Sequence, residues 1–307
     1  MAEGVQCVLD LSVVERLGTL ELQVRAVVDS LAQGRHASSS RGFSIEFAQY
    51  REYTPGDDLR YVDWKVFGKS DRLYVKQFDD ETSFGCQILI DSSESMAFRS
   101  PAVPYSKFEY ARLLGASLGL VVLQQQDQVK LHVLAESAAR ASGFAGSWPA
   151  YRQMLAEIEQ MKPEGKGNPG QFLTSLVNQN LGNQNRRRAV MVIVTDGLSD
   201  LQELISGLRQ LRYGRHDVLL LQVMDRWERT FPMTGWTQFI GLEEWPDHTT
   251  NAASIREGYL AEYRSFQQQL NSACHEMKID FFPISTDMSL DQVLRSVLQR
   301  NPELLPQ

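Results

Sequence analysis

Two apolar periods alternate along most of this chain. Continuous apolar runs at residues 86–90, 189–195, 218–223 and 279–284 are bounded by polar or turn residues, the pattern of strands buried on both faces. Val129, Leu131 and Val133 alternate and add a strand after the first run. Between the strands lie stripes that step by three and four: Phe108, Ala111, Gly115, Leu118 and Val122, then Leu201, Leu204, Leu208 and Leu211, then Tyr259, Tyr263, Phe266, Leu270, Ala273 and Met277. Residues 149–161 and 170–180 are also predicted helices, separated by a loop rich in Pro and Gly. Helix-start signals stand where stripes begin, Ser106 with Glu109, Asp200 with Glu203, Ser254 with Glu257 and Ser289 with Gln292. Strands alternating with helices of this length predict an α/β fold with a mostly parallel sheet and helices on both faces.

Upstream of residue 85 the pattern changes. Val13, Leu17, Leu20, Val24, Val27 and Leu31 make one stripe, predicting a docking helix over 10–32 that Gly34 closes; a partner-binding helix is the alternative. Residues 35–42 are small and polar, 43–53 alternate loosely, and Leu73-Tyr74-Val75-Lys76-Gln77-Phe78 alternates as a strand. Thr54-Pro55-Gly56-Asp57-Asp58 and Lys69-Ser70-Asp71 are turn signals. Three segments result: a leading helix in 1–34, a small β-rich subdomain in 35–84 and an α/β domain in 85–302. Within the last, residues 225–253 are irregular and aromatic, with Trp227, Phe231, Trp236, Phe239 and Trp245. They predict a hairpin over one sheet edge, its rings serving the core or, alternatively, a partner.

At 307 residues and 43% hydrophobic, the chain can bury a large core. A formal net charge of −7 argues against nucleic acid or an anionic membrane as partner. Arg186-Arg187-Arg188 reads as a solvated loop. Cys7, Cys86 and Cys274 are scattered, make no disulfide framework or metal knuckle, and suit a reducing compartment. The first residues lack a basic start followed by an apolar block, and the apolar stretch 113–123 is too short to span a bilayer. A cytoplasmic protein without membrane insertion is expected.

The chemistry concentrates where the first buried strand ends. Asp91-Ser92-Ser93-Glu94-Ser95 puts a carboxylate and two alternate hydroxyls on one turn, at the strand edge where parallel sheets bind ligands. Asp91, Ser93 and Ser95 form an all-oxygen set suited to a hard cation such as Mg²⁺. The same residues also suit plain capping of the turn. A later strand ends similarly, in Thr195-Asp196-Gly197.

Together these two motifs resemble a von Willebrand factor type A domain over about residues 84–300. Upstream, Arg51-Glu52-Tyr53-Thr54-Pro55-Gly56-Asp57-Asp58-Leu59-Arg60-Tyr61-Val62-Asp63-Trp64 resembles the hallmark of the bacterial DUF58 family, as do residues 34–38, 42–47 and 73–78 with Glu81. The resemblance implies a metal-ion-dependent adhesion site holding Mg²⁺, or Mn²⁺ or Ca²⁺, through Asp91, Ser93, Ser95 and Asp196. It implies a non-enzymatic protein-interaction module, often encoded beside a MoxR-type AAA+ ATPase and acting with it on client proteins. In the wider fold a Thr from the loop before the central helices joins the metal shell. Here loop 163–171 offers Asn168 and no Thr, so Asn168 or water is left to complete it. In the hallmark, which runs on from Tyr53 to Trp64, Pro55-Gly56 makes a turn and Arg51, Asp57, Asp58, Arg60 and Asp63 are candidates for ion pairs that brace the subdomain; direct partner contact is the alternative.

Two rival functions remain. One is a metal-free scaffold with the same fold. The other is a metal-dependent phosphatase-like enzyme with Asp91 as nucleophile, but Ser93 stands where such enzymes place a second acid. No Gly-x-Ser-x-Gly elbow and no phosphate-binding Gly-x-x-x-x-Gly-Lys-Ser/Thr loop is present, and the five histidines lack zinc spacing.

Overall fold

The computed structural model describes residues 11–33, 47–52, 74–78, 85–134, 139–141, 143–180, 189–242, 246–301 and 304. Two compact units arise, one from residues 1–37 and 85–306, the other centred on 38–84. In the second, β1 (Phe47–Glu52) pairs antiparallel with β2 (Tyr74–Phe78), with an irregularity between Phe47 and Gln49. Arg51 lies on β1 opposite Val75. Tyr53, Pro55, Gly56, Asp57, Asp58, Arg60, Asp63 and Trp64 lie outside the described residues, as does the Arg186–188 run.

The larger unit begins with α1 (Leu11–Glu15) and α2 (Leu20–Gln33), not one helix, because the chain turns at 16–19 around Gly18. The break shifts the stripe: Val14 is buried and Val13 exposed, while Leu20, Val24, Val27 and Leu31 keep their inward places. Then come β3 (Gly85–Asp91), α3 (Lys107–Gln124), β4 (Gln128–Leu134), β5 (Ala139–Ala141), α4 (Trp148–Glu159), α5 (Pro169–Asn180), β6 (Ala189–Thr195), α6 (Leu201–Tyr213) and β7 (Asp217–Met224). The chain ends with α7 (Arg226–Thr230), β8 (Trp236–Phe239), β9 (His248–Asn251), α8 (Ala252–Glu276), β10 (Asp280–Ser285) and α9 (Leu290–Arg300).

The central sheet has the order β10-β7-β6-β3-β4-β5, parallel throughout except for the short edge strand β5. The expected doubly covered α/β sheet is therefore present. Its order reverses between β3 and β6, so their carboxyl ends flank the crevice where such sheets bind ligands. On one face α3 lies against the sheet, with Gly115 close to Ile88 and Ile90, and α2 packs outside it against α3, α4 and α9. On the other face Leu89, Met191, Ile193 and Leu220 meet Leu173 and Leu176 of α5, Leu204 and Leu208 of α6, and Leu270 of α8. Residues 113–123 lie buried within α3. Among the described residues no helix is long and apolar enough to cross a membrane.

The predicted caps at Ser106 and Asp200 form. The long helix α8 instead starts at Ala252, where the Asn251 side chain accepts from Ala253 N. The aromatic segment does not pair with the sheet edge: β8 and β9 pair only with each other, as a separate hairpin.

His132 on β4 is 1% exposed, with Nε2 set to donate to Gln87 Oε1 at 3.0 Å and Nδ1 without a partner among the described residues. Burial, reinforced by Lys130, holds its pKa down at about 4 against an ordinary 6.5. Below pH 6.5 the unfolded chain takes a proton that the folded chain refuses until about pH 4. Stability therefore falls as pH drops through that window, by about 2 kcal/mol at about pH 5. Urea melts at neutral and mildly acidic pH measure the loss, and His132→Gln should remove that share of it.

Candidate functional site

Asp91, Thr195 and Asp196 meet at the β3–β6 crevice because each stands at the carboxyl end of a strand or one residue beyond it. Asp91 Oδ1 accepts from Ser93 N at 2.9 Å, and Oδ2 accepts from the Thr195 hydroxyl at 2.6 Å. Ser93 Oγ and Ser95 Oγ are 3.0 Å apart. The Ser92 hydroxyl donates to Leu134 O at 2.6 Å and pins the turn to β4. Gly197, at φ +72°, supplies the left-handed turn that brings its N–H to Thr195 Oγ1, and Asp196 Oδ1 accepts from Leu198 N at 3.0 Å. Asp91, Ser93 and Asp196 are all buried. Burial and the neighbouring Asp196 charge raise the Asp91 pKa to about 6, against hydrogen bonds from Thr195 and Ser93 that pull it down.

Lys107 is the unforeseen member. It is fully buried at the first turn of α3, and its ammonium donates to Asp196 Oδ2 at 2.8 Å and to Glu228 Oε1 at 2.6 Å. Burial alone would push this amine down, but the two carboxylates outweigh it and hold the amine above the ordinary lysine range, charged at neutral pH. Glu228, itself raised by burial against the pull of Lys107, completes the capping box of α7 by accepting from Asp225 N at 2.9 Å. Asp225, a third acid after a strand, is buried and accepts from Ser100 N and Trp227 N, closing the loop before α3 onto β7.

The loop before α5 seals the turn from above. Glu164 N donates to Ser92 O and Glu94 N to Gly165 O, both at 2.9 Å. A β-carbon on Gly167 would lie 2.5 Å from Ser93 Cβ and 3.0 Å from Asp91 Oδ1. Asn168 is not turned toward the acids. Its Oδ1 accepts from Gln171 N at 3.0 Å and its amide donates to Glu203, so it is engaged on α5 and α6. Thr174 bonds within its own helix, to Gly170 O. The structure thus gathers Asp91, Ser93, Ser95 and Asp196 and leaves Asn168 apart. A cation at a helix N-terminus opposes the helix dipole, and that was the one local hint that Lys107 is held by carboxylates.

The implied metal can be tested against these residues. A directly bound divalent ion needs free oxygen ligands and, to bridge to a partner, one open position. Here each carboxylate oxygen of Asp91 and Asp196 accepts a hydrogen bond, and Asp196 Oδ2 already has the Lys107 ammonium as its cation at 2.8 Å. The donor set does not fit a divalent ion open to a partner's carboxylate.

With this geometry in place, comparison with known proteins gives the family. The family model described as "Protein of unknown function DUF58" matches residues 49–269. This chain belongs to the DUF58 family. The DUF58 chain is 27% identical over 223 residues to the uncharacterized protein Rv1480 of Mycobacterium tuberculosis, covering 71% of this chain and 67% of that one. The uncharacterized protein Mb1516 of Mycobacterium bovis matches to the same extent. Similar solved structures include an aerotolerance-related membrane protein of Bacteroides fragilis, with TM-score 0.48 and 16% identity over 72% of this chain and 99% of that chain. The VWA domain of SpRpn10 is similar with TM-score 0.43 and 12% identity, over 69% and 94% of the two chains.

Proposed function

We propose that this DUF58 chain is a non-enzymatic protein-interaction module, the partner of a MoxR-type AAA+ ATPase in folding, assembling or activating client proteins. In this reading it contacts its partner through the β8–β9 hairpin and without a metal bridge. The observation that carries the proposal is the outward face of that hairpin. Strand alternation points Phe239 inward, where it stacks on Phe231 at 5.9 Å, and leaves Trp236 79% and Ile240 72% exposed. Phe231 packs on Tyr259 at 4.7 Å, and the Tyr259 hydroxyl donates to Glu228 O at 2.8 Å, so the hairpin stands on a braced base. An exposed Trp on a paired strand is the residue type that anchors protein interfaces. A non-catalytic reading is supported by Ser93, which stands where a phosphatase-like site would place a second acid, and by the Ser93 and Thr195 hydrogen bonds that hold Asp91.

The test is binding of the purified MoxR-type ATPase of the same organism to the immobilised chain. Trp236→Ala with Ile240→Ser should weaken it at least about 30-fold, about 2 kcal/mol. Both positions are exposed, so the melting temperature should hold within about 2 °C. Unchanged affinity in the double variant would refute the hairpin as the contact.

A further inference from the structure

We propose that Lys107 is the built-in cation of this site: its ammonium serves where the Asp-x-Ser-x-Ser motif would otherwise call for a divalent metal, and the crevice is assembled without one. Three observations converge on it. The side chain is fully buried, so its charge is spent inside the protein. It bonds to Asp196, the acid that the motif assigns to the metal, at 2.8 Å. It also reaches Glu228 at 2.6 Å, so one ammonium links the end of β6, the start of α3 and α7 at the foot of the hairpin. The remaining carboxylate, Asp91, is held by the Thr195 hydroxyl and the Ser93 amide, one on each oxygen. A metal ion links separate segments in the same way, but it must be acquired and can be chelated away. Lys107 is covalently present, so order at the crevice becomes independent of divalent ions. This inference stands on the crevice alone and holds whichever partner the hairpin meets.

The experiment is a titration of Mg²⁺, then Mn²⁺, into the full-length chain freed of metal with EDTA, followed by calorimetry and by thermal unfolding. The wild type is expected to show no saturable binding and no shift in melting temperature. Lys107→Met should melt about 10 °C lower without metal and recover on adding Mn²⁺ or Mg²⁺, as a ligand that binds only the folded state requires. Lys107→Arg, which keeps the charge, should fold and remain indifferent to metal. Saturable binding to the wild type that Ser93→Ala abolishes would overturn the proposal, and this arm decides even if Lys107→Met does not fold. A Lys107→Met protein that melts with the wild type and ignores metal would overturn it as well. Failure of the hairpin variant to lose ATPase binding bears on the partner surface only and is read separately.

Discussion

Asp196→Asn is expected to lower the unfolding free energy by about 3–5 kcal/mol in the presence of EDTA, the usual cost of breaking a buried ion pair from one side. The amide can still accept from Leu198 N, but it turns an NH₂ group or a weaker neutral oxygen toward the Lys107 ammonium. Lys107 is then left in the interior with Glu228 as its one carboxylate. The sign separates two accounts. If Asp196 and Asp91 were an open metal site emptied by chelation, removing one of two repelling carboxylates would leave stability unchanged or raise it. If Asp196 is the counter-charge of a buried lysine, removing it must cost. Urea unfolding of both proteins with EDTA present reads the difference, and equal or greater stability in the variant would defeat the lysine account.

Gly170→Ala is expected to cost about 3 kcal/mol or more, because it forces apart two helices that touch through backbone. A β-carbon at Gly170 would lie 2.3 Å from the Glu203 carbonyl carbon and 2.6 Å from Leu204 N. These are backbone atoms inside α6 and cannot swing aside. The facing residue, Gly207, is equally tight, since its β-carbon would come within 2.7 Å of Gly170 O and 2.8 Å of Leu173 Cβ. Gly inside a helix normally costs about 1 kcal/mol against Ala, so Gly207 in the middle of α6 is explained by this contact. The effect should reach the crevice too, because α5 begins where the sealing loop ends at Asn168 and Gly167. Denaturant melts of Gly170→Ala measure it, and a loss under about 1 kcal/mol would show that the helices can separate freely.

The sheet was legible because its strands are buried on both faces, which writes itself as unbroken apolar runs closed by Asp91 and Asp196. The caps at Ser106 and Asp200 were legible because the groups involved lie within three residues of each other. Lys107 was not legible for the opposite reason. Its carboxylates are 89 and 121 residues away, and from local sequence it is one more charge in a capping box. Asn168 illustrates the same limit: its residue type suits a ligand, but the tertiary packing of α5 against α6 turns it toward Glu203. The hairpin was foreseen in the aromatic segment, and its two strands pair with each other. Trp236 and Ile240 point outward from it, while Phe239 turns in onto Phe231. The break in the leading helix at 16–19 was masked by a stripe that runs through it, and the buried position passed from Val13 to Val14.

The measurement that tests the central claim most directly is the affinity of the wild-type chain for the MoxR-type ATPase, without nucleotide, first in EDTA and then in excess Mg²⁺. A metal-independent module with a lysine-neutralised crevice predicts the same dissociation constant in both, within about twofold. Binding that vanishes in EDTA, returns with Mg²⁺ and is lost in Ser93→Ala would contradict the account and restore the metal bridge.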